Sequence, residues 1–169
     1  KLDQKSRIDY EFVRKYKGKY LKSAYENFKK NKGYEDEAYK EFLKFDFVYN
    51  YGFFITFKKE NDLRSWNEWP DEMKNWIRDK KLDLSPYEDK INYEIFIQYI
   101  FYKQWMKLKK YANENKIKIV GDIPFYVGLD SLDVWENQKY FQITKDGREK
   151  LIAGVPPDNF SATGQRWGN

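Results

Sequence analysis

Apolar positions recur at helical spacing through the first half of the chain. Val13, Tyr16, Tyr20, Ala24 and Phe28 define one face, with Asp9 placed to cap its start and Gly33 to stop it. A second helical stretch is predicted from about Glu35, with Ala38, Phe42, Phe45 and Tyr49 on one side, continuing through Gly52 to Phe57. Pro70 sits where a helix begins. Asp71 and Glu72 fall in the first turn, where the helix dipole favours acids, and Met73, Trp76 and Ile77 come after them. Ser85-Pro86 interrupts the pattern. Packing between short helices accounts for the aromatic residues of this half without a ligand.

The second half has a different rhythm. Tyr93, Phe96, Ile97, Ile100, Phe101, Trp105, Leu108 and Tyr111 predict a long amphipathic helix, followed by the polar link Asn113-Glu114-Asn115. Ile117 to Gly121 then reads as a buried strand ending in Asp122. Helix, short link and apolar strand make one step of a parallel α/β fold, in whose barrels the C-terminal strand ends carry the active site. Phe141–Thr144 and Lys150–Ala153 flank Asp146-Gly147, a hairpin signal. The stretch 154–169 has no period and is rich in Gly, Pro, Ser, Thr and Asn, which predicts a functional loop.

Composition narrows the chemistry. The 169 residues contain neither cysteine nor histidine, so disulfides, thiolate metal sites and imidazole bases are excluded, and no metal or organic cofactor is expected. Cysteine-free composition suits a cytoplasmic protein. No signal peptide is recognisable at Lys1-Leu2-Asp3, and the most apolar run, 91–105, is broken by Glu94, Gln98 and Lys103, so it is not a membrane span. The formal charge of +5 comes from interspersed signs, 32 Lys+Arg against 27 Asp+Glu. Lys29-Lys30 and Lys109-Lys110 fall on polar helix faces, which argues for solvated surfaces and against a nucleic-acid stripe. Phosphate loops, dinucleotide fingerprints, Gly-x-Ser-x-Gly elbows and calcium loops are absent from the sequence.

Two stretches stand out. In 120–127, Asp122 at a strand end before Ile123-Pro124 could direct a carboxylate to sugar hydroxyls, or could simply cap backbone N–H groups of its own loop. In 154–169, Pro156-Pro157 stiffen one end, glycines permit bends at the other, and Phe160 and Trp167 bracket short polar side chains. Flat rings against a sugar's C–H face, with small polar groups for its hydroxyls, suit a carbohydrate. An ordered loop packed on its own Phe and Trp is the purely structural alternative.

The residue order Gly121-Asp122-x-Pro124-x-Tyr126-Val127, then Asp130-Ser131-x-Asp133-Val134-Trp135, then Ala153 through Asn169, resembles the amylomaltase (4-α-glucanotransferase, disproportionating enzyme) family. Tyr102-Lys103-Gln104-Trp105 and Trp66-x-x-Trp69-Pro70 are similar to the same family. The resemblance implies an α/β fold: part of a (β/α)8 glycosidase-type barrel, with residues 1–90 a mainly helical inserted subdomain and 91–169 a barrel segment. It implies a maltooligosaccharide or starch-derived glucan as substrate. Asp122, Asp158, Ser161, Gln165 and Trp167 become candidate glucan contacts. Asn159 stands where the family more often has Tyr, which weakens that position as a contact.

In such enzymes a carboxylate attacks the anomeric carbon and a second sugar's 4-hydroxyl completes a retaining transfer. The nucleophile's usual Arg-x-Asp-His setting is missing from a chain without histidine. No catalytic residue is therefore expected in this chain, which reads as an internal fragment, inactive alone. The rival expectation is a stand-alone glucan-binding or basic interaction module.

Overall fold

The computed structural model describes residues 8–123 and 126–168. Pro124 and Phe125, within the first motif, and Asn169, at the end of the second, lie outside the described residues. Seven helices and a two-stranded sheet are seen among them: α1 (Tyr10–Lys30), α2 (Glu37–Phe42), α3 (Phe47–Glu60), α4 (Asp71–Lys74), α5 (Trp76–Asp79), α6 (Glu88–Glu114), α7 (Leu132–Glu136), β1 (Ala153–Val155) and β2 (Gln165–Gly168).

Asp9 caps α1 as expected, its carboxylate accepting the Phe12 N–H at 3.0 Å. The face that packs is rotated from the expected one. Tyr25 is buried and Phe28 half-buried, while Tyr16, Tyr20 and Ala24 are exposed. Uniformly high aromatic content blurs the stripe, so spacing alone selects the wrong neighbours. The helix stops one turn before Gly33, at Asn31 and a left-handed Lys32.

The second helical stretch is two helices, not one. Phe42 and Val48 are both buried. In a continuous helix, positions six apart lie about 120° apart around the axis and point to different faces. The break at 43–46 brings both inward, and leaves the expected face residues Ala38, Phe45 and Tyr49 exposed.

α6 packs chiefly on α3. One core gathers Phe54, Phe57, Trp66, Trp69, Met73, Trp76, Val134, Trp135 and Ile143. A second gathers Tyr39, Phe42, Val48, Ile91, Ile95 and Tyr99. Each draws on residues from both sides of position 90, so packing is continuous across that boundary. Tryptophan burial is matched by hydrogen bonding: the indole of Trp66 donates to Leu129 O at 2.6 Å, and that of Trp135 to Lys74 O at 2.9 Å.

α6 ends on a left-handed Lys116, with Ile117 N–H donating to Ala112 O and Lys116 N–H to Asn113 O, each at 2.9 Å. The buried strand expected after it does not form. Residues 117–123 have no regular secondary structure and pair with no described strand, and Val120 is 90% exposed. A strand owes its identity to neighbours on either side, and the described residues supply neither. The hairpin at Asp146-Gly147 forms, with Thr144 N–H donating to Arg148 O at 2.7 Å, but its arms are held by the single bridge Ile143–Glu149. The sheet in this chain is antiparallel, β1 against β2. Among the described residues no helix is long and apolar enough to cross a membrane, and no acidic cluster could hold a metal ion.

Candidate substrate-binding loop

The stretch expected to lack regular structure is closed at its base by β1 and β2. Gly154 lies opposite Arg166 and Val155 opposite Gln165. Two glycines permit this closure. A Cβ on Gly154 would stand 2.3 Å from Gln165 O, and one on Gly164, whose φ is +76°, 2.5 Å from Val155 O. Only glycine fits where the two strands approach so closely.

Between the strands the chain ties itself down. The Asp158 carboxylate accepts the N–H groups of Phe160 at 2.9 Å and Ser161 at 2.8 Å. Asp158 N–H donates to Ser161 O at 3.0 Å, and the Ser161 hydroxyl donates to Gly164 O at 2.6 Å. The Trp167 indole donates to the Gln165 amide oxygen at 3.0 Å. Asp158, Gln165 and Trp167 are exposed, Ser161 is half-buried, and Asn159 is exposed with its neighbour Phe160, which is 93% exposed.

The loop is therefore ordered by its polar side chains while its rings face outward. Phe160 does not pack the loop from within, whereas Trp167 is only partly exposed. Asp158 and Ser161 spend hydrogen bonds on the loop itself, so their first effect is to set its shape. The two bonds that the Asp158 side chain accepts join a carboxylate to backbone amides, the strong kind.

Asp122 is exposed, and its Oδ1 accepts the N–H of Ile123 at 2.8 Å. This is the local capping arrangement. The structure connects the two motifs through Tyr126, whose ring lies 5.9 Å from that of Trp167 at 45°. Tyr126 belongs to the first motif, but its pairing with Trp167 is not legible in the sequence, because the two lie 41 residues apart (167 minus 126). The other element of the motif set, Asp130 to Trp135, is structural: Trp135 is fully buried and Asp130 meets Lys58 and Trp66.

The class comes from the fold. Its architecture is similar to that of an amylomaltase from Streptococcus agalactiae determined in complex with acarbose, with a TM-score of 0.84 and 33% identity over 96% of this chain and 33% of that one. The chain belongs to the 4-alpha-glucanotransferase family, whose model matches residues 1–169. Among curated relatives, the 4-alpha-glucanotransferase of Clostridium butyricum is 40% identical across 99% of this chain and 34% of its own length. That of Aquifex aeolicus is 39% identical across 95% and 32%. The chain thus spans about a third of the length of the relatives it matches.

Proposed function

We propose that this chain forms part of a 4-α-glucanotransferase that moves α-1,4-glucan segments between maltooligosaccharides by retaining double displacement. Its contribution is the substrate-binding loop 154–168 and part of a (β/α)8 barrel wall. The observation that carries this reading is the loop's construction: a carboxylate-tied frame that presents Phe160 and Trp167 outward. Retaining transfer to sugar instead of water needs an acceptor held over the glucosyl intermediate, and an ordered loop with exposed rings can hold one.

Roles divide among the candidates. Trp167 and Phe160 offer rings to sugar C–H faces. Gln165 orients the Trp167 indole and offers its amide. Asp158 and Ser161 shape the frame. Asp122 is a carboxylate at the end of a segment that becomes a barrel strand when neighbours pair on both sides. Residues 1–90 furnish most of the helical subdomain, and α6 carries it into the barrel segment.

Nothing favours the basic-module alternative. Lys29, Lys40, Lys44, Lys58, Lys59, Lys74 and Lys90 are each paired with a carboxylate, so the positive charge is not gathered into a stripe. The absence of cysteine agrees with a cytoplasmic parent.

The test is a chimera in which this chain replaces the matching third of the Clostridium butyricum protein. Redistribution of maltotriose into longer and shorter chains is expected from the chimera, and none from the 169-residue chain alone. A folded chimera that leaves maltotriose untouched overturns the reading.

A further inference from the structure

A groove of about 720 Å³ opens between the end of α1, the 33–49 region and the start of α6, away from the 154–168 loop. Its volume lies within the range of small-molecule sites, roughly 300–1,000 Å³. Five aromatic side chains line it, of which Tyr34 (52% exposed) and Tyr49 (47% exposed) present their rings to solvent. Among the described residues neither ring is paired with another aromatic, in contrast to Tyr25, Phe28 and Tyr39, which pack among rings of the core. Two unpaired tyrosines at the lip of a groove are open stacking surfaces.

The polar lining is equally organised. Asp89 is held from two sides: Tyr25 OH donates to its Oδ1 at 3.2 Å and Lys29 Nζ to the same oxygen at 2.9 Å. The Lys29 bond holds this carboxyl below the usual range, with Tyr25 adding to the effect. Its Oδ2 has no protein partner among the described residues, on a side chain open to solvent. Asn92 and Ser85 add an amide and a hydroxyl, each able to donate and accept. Lys29 offsets one of the two carboxylates, Glu88 and Asp89, and is shared with Glu26, so the lining carries a net charge of −1. Unpaired rings, a fixed acceptor and neutral donors suit a polyhydroxylated ligand, and the residual negative charge turns an anion away. Nor do these features suit an ammonium group that needs a closed aromatic cage.

We propose that this groove is an accessory α-1,4-glucan site, with Tyr34 and Tyr49 as stacking platforms and Oδ2 of Asp89 as the hydroxyl acceptor. The class of ligand rests on the glucanotransferase reading; the location rests on the groove itself. A site here would tether a long glucan to the helical part of the chain while its end is processed elsewhere. Tethering raises the local concentration of a polymeric substrate without any added contact at the site of transfer.

Titration of the isotope-labelled chain with maltoheptaose, with cellohexaose as control, tests this. The Asn92 side-chain amide and the backbone amides of Tyr34 and Tyr49 are expected to shift and saturate with maltoheptaose. Tyr34→Ala with Tyr49→Ala, at exposed positions that leave both cores untouched, is expected to weaken this binding by roughly tenfold or more. Asp89→Ala, which removes the acceptor, is expected to weaken binding, and Tyr34→Phe is expected to retain it because its ring survives. Shifts confined to 154–168 overturn the groove while leaving the loop's role intact. No shift anywhere overturns the groove as well, and the chimera's transfer assay then judges the glucanotransferase reading independently.

Discussion

Lys58 on α3 forms an ion pair with Asp130, 72 positions later, and the same carboxylate accepts the backbone N–H of Trp66 at 3.3 Å. The adjoining carbonyl, that of Leu129, receives the Trp66 indole. One pair of residues thus fastens the 127–135 segment to α3 and to the turn that carries Trp66 and Trp69. Asp130→Ala leaves an ammonium and a backbone N–H without their acceptor at a partly buried site. The expected loss is about 2 kcal/mol, seen as a lower urea midpoint at unchanged slope. Asp130→Asn keeps an acceptor for Trp66 and is expected to lose less. A change within about 0.5 kcal/mol for Asp130→Ala would mean that the pair is a surface contact only.

Tyr39 makes stability sensitive to alkali. Burial pushes its hydroxyl up to about 12, with the phenols of Tyr49 and Tyr99 adding to the effect. The folded state therefore favours the neutral phenol more than the unfolded chain does. The resulting stability is fully present below about pH 10, the ordinary tyrosine value, and is lost as pH rises towards 12. Urea unfolding monitored from pH 8 to 12 is expected to show this decline. Tyr39→Phe, which keeps the ring packed against Phe28 and Tyr99, is expected to make it shallower. An identical pH profile for the variant would assign the decline to other groups, with Tyr25, also raised by burial, as the next to test.

Helix existence is legible in the sequence; helix faces are not. Asp9, Pro70 with Asp71, and the long apolar pattern from Tyr93 to Tyr111 each mark an element, because caps, dipole partners and helical spacing are local chemistry. The face of α1 and the break between α2 and α3 depend on which of many aromatics finds a core partner, which is tertiary information. Residues 117–120 have every local property of a strand, yet a strand needs neighbours that the described residues do not provide. The loop's outward rings and self-ties are half legible. Pro156-Pro157 and the glycines announce an ordered turn, but pairing of β1 with β2 across ten residues leaves no local periodicity to read (155 to 165).

The second half of α6 presents Phe101, Trp105, Met106, Leu108 and Tyr111 to solvent, and the irregular 117–123 segment adds Ile117, Val120 and Ile123. An apolar surface of this kind beside unpaired backbone promotes association. Sedimentation of the 169-residue chain is expected to show self-association that strengthens with concentration. Leu108→Glu with Tyr111→Lys is expected to shift the chain towards monomer without lowering its urea midpoint, since neither side chain belongs to a core. A chain that sediments as a monomer at every concentration, with or without these changes, would show that this face is not adhesive.

Gly164 tests whether the loop's shape, and not only its side chains, serves binding. Its φ of +76° and the 2.5 Å approach of a Cβ to Val155 O leave no room for alanine without displacing the strand pair. Gly164→Ala is expected to cost about 1–3 kcal/mol locally, most of it relieved by opening β1 from β2. Because β1 and β2 lie outside both cores, the global urea midpoint is expected to move little. Amide exchange at Gly164, whose N–H donates to Ser161 O at 3.2 Å in the native loop, reports the opening at the substituted position. In the chimera, transfer between maltotriose molecules is expected to fall while unfolding is unchanged, the pattern of a lost binding geometry in an intact fold. Equal transfer by the Gly164→Ala chimera, with exchange accelerated as expected, would show that an open loop serves as well as a closed one. The ties made by Asp158 and Ser161 would then matter for stability alone.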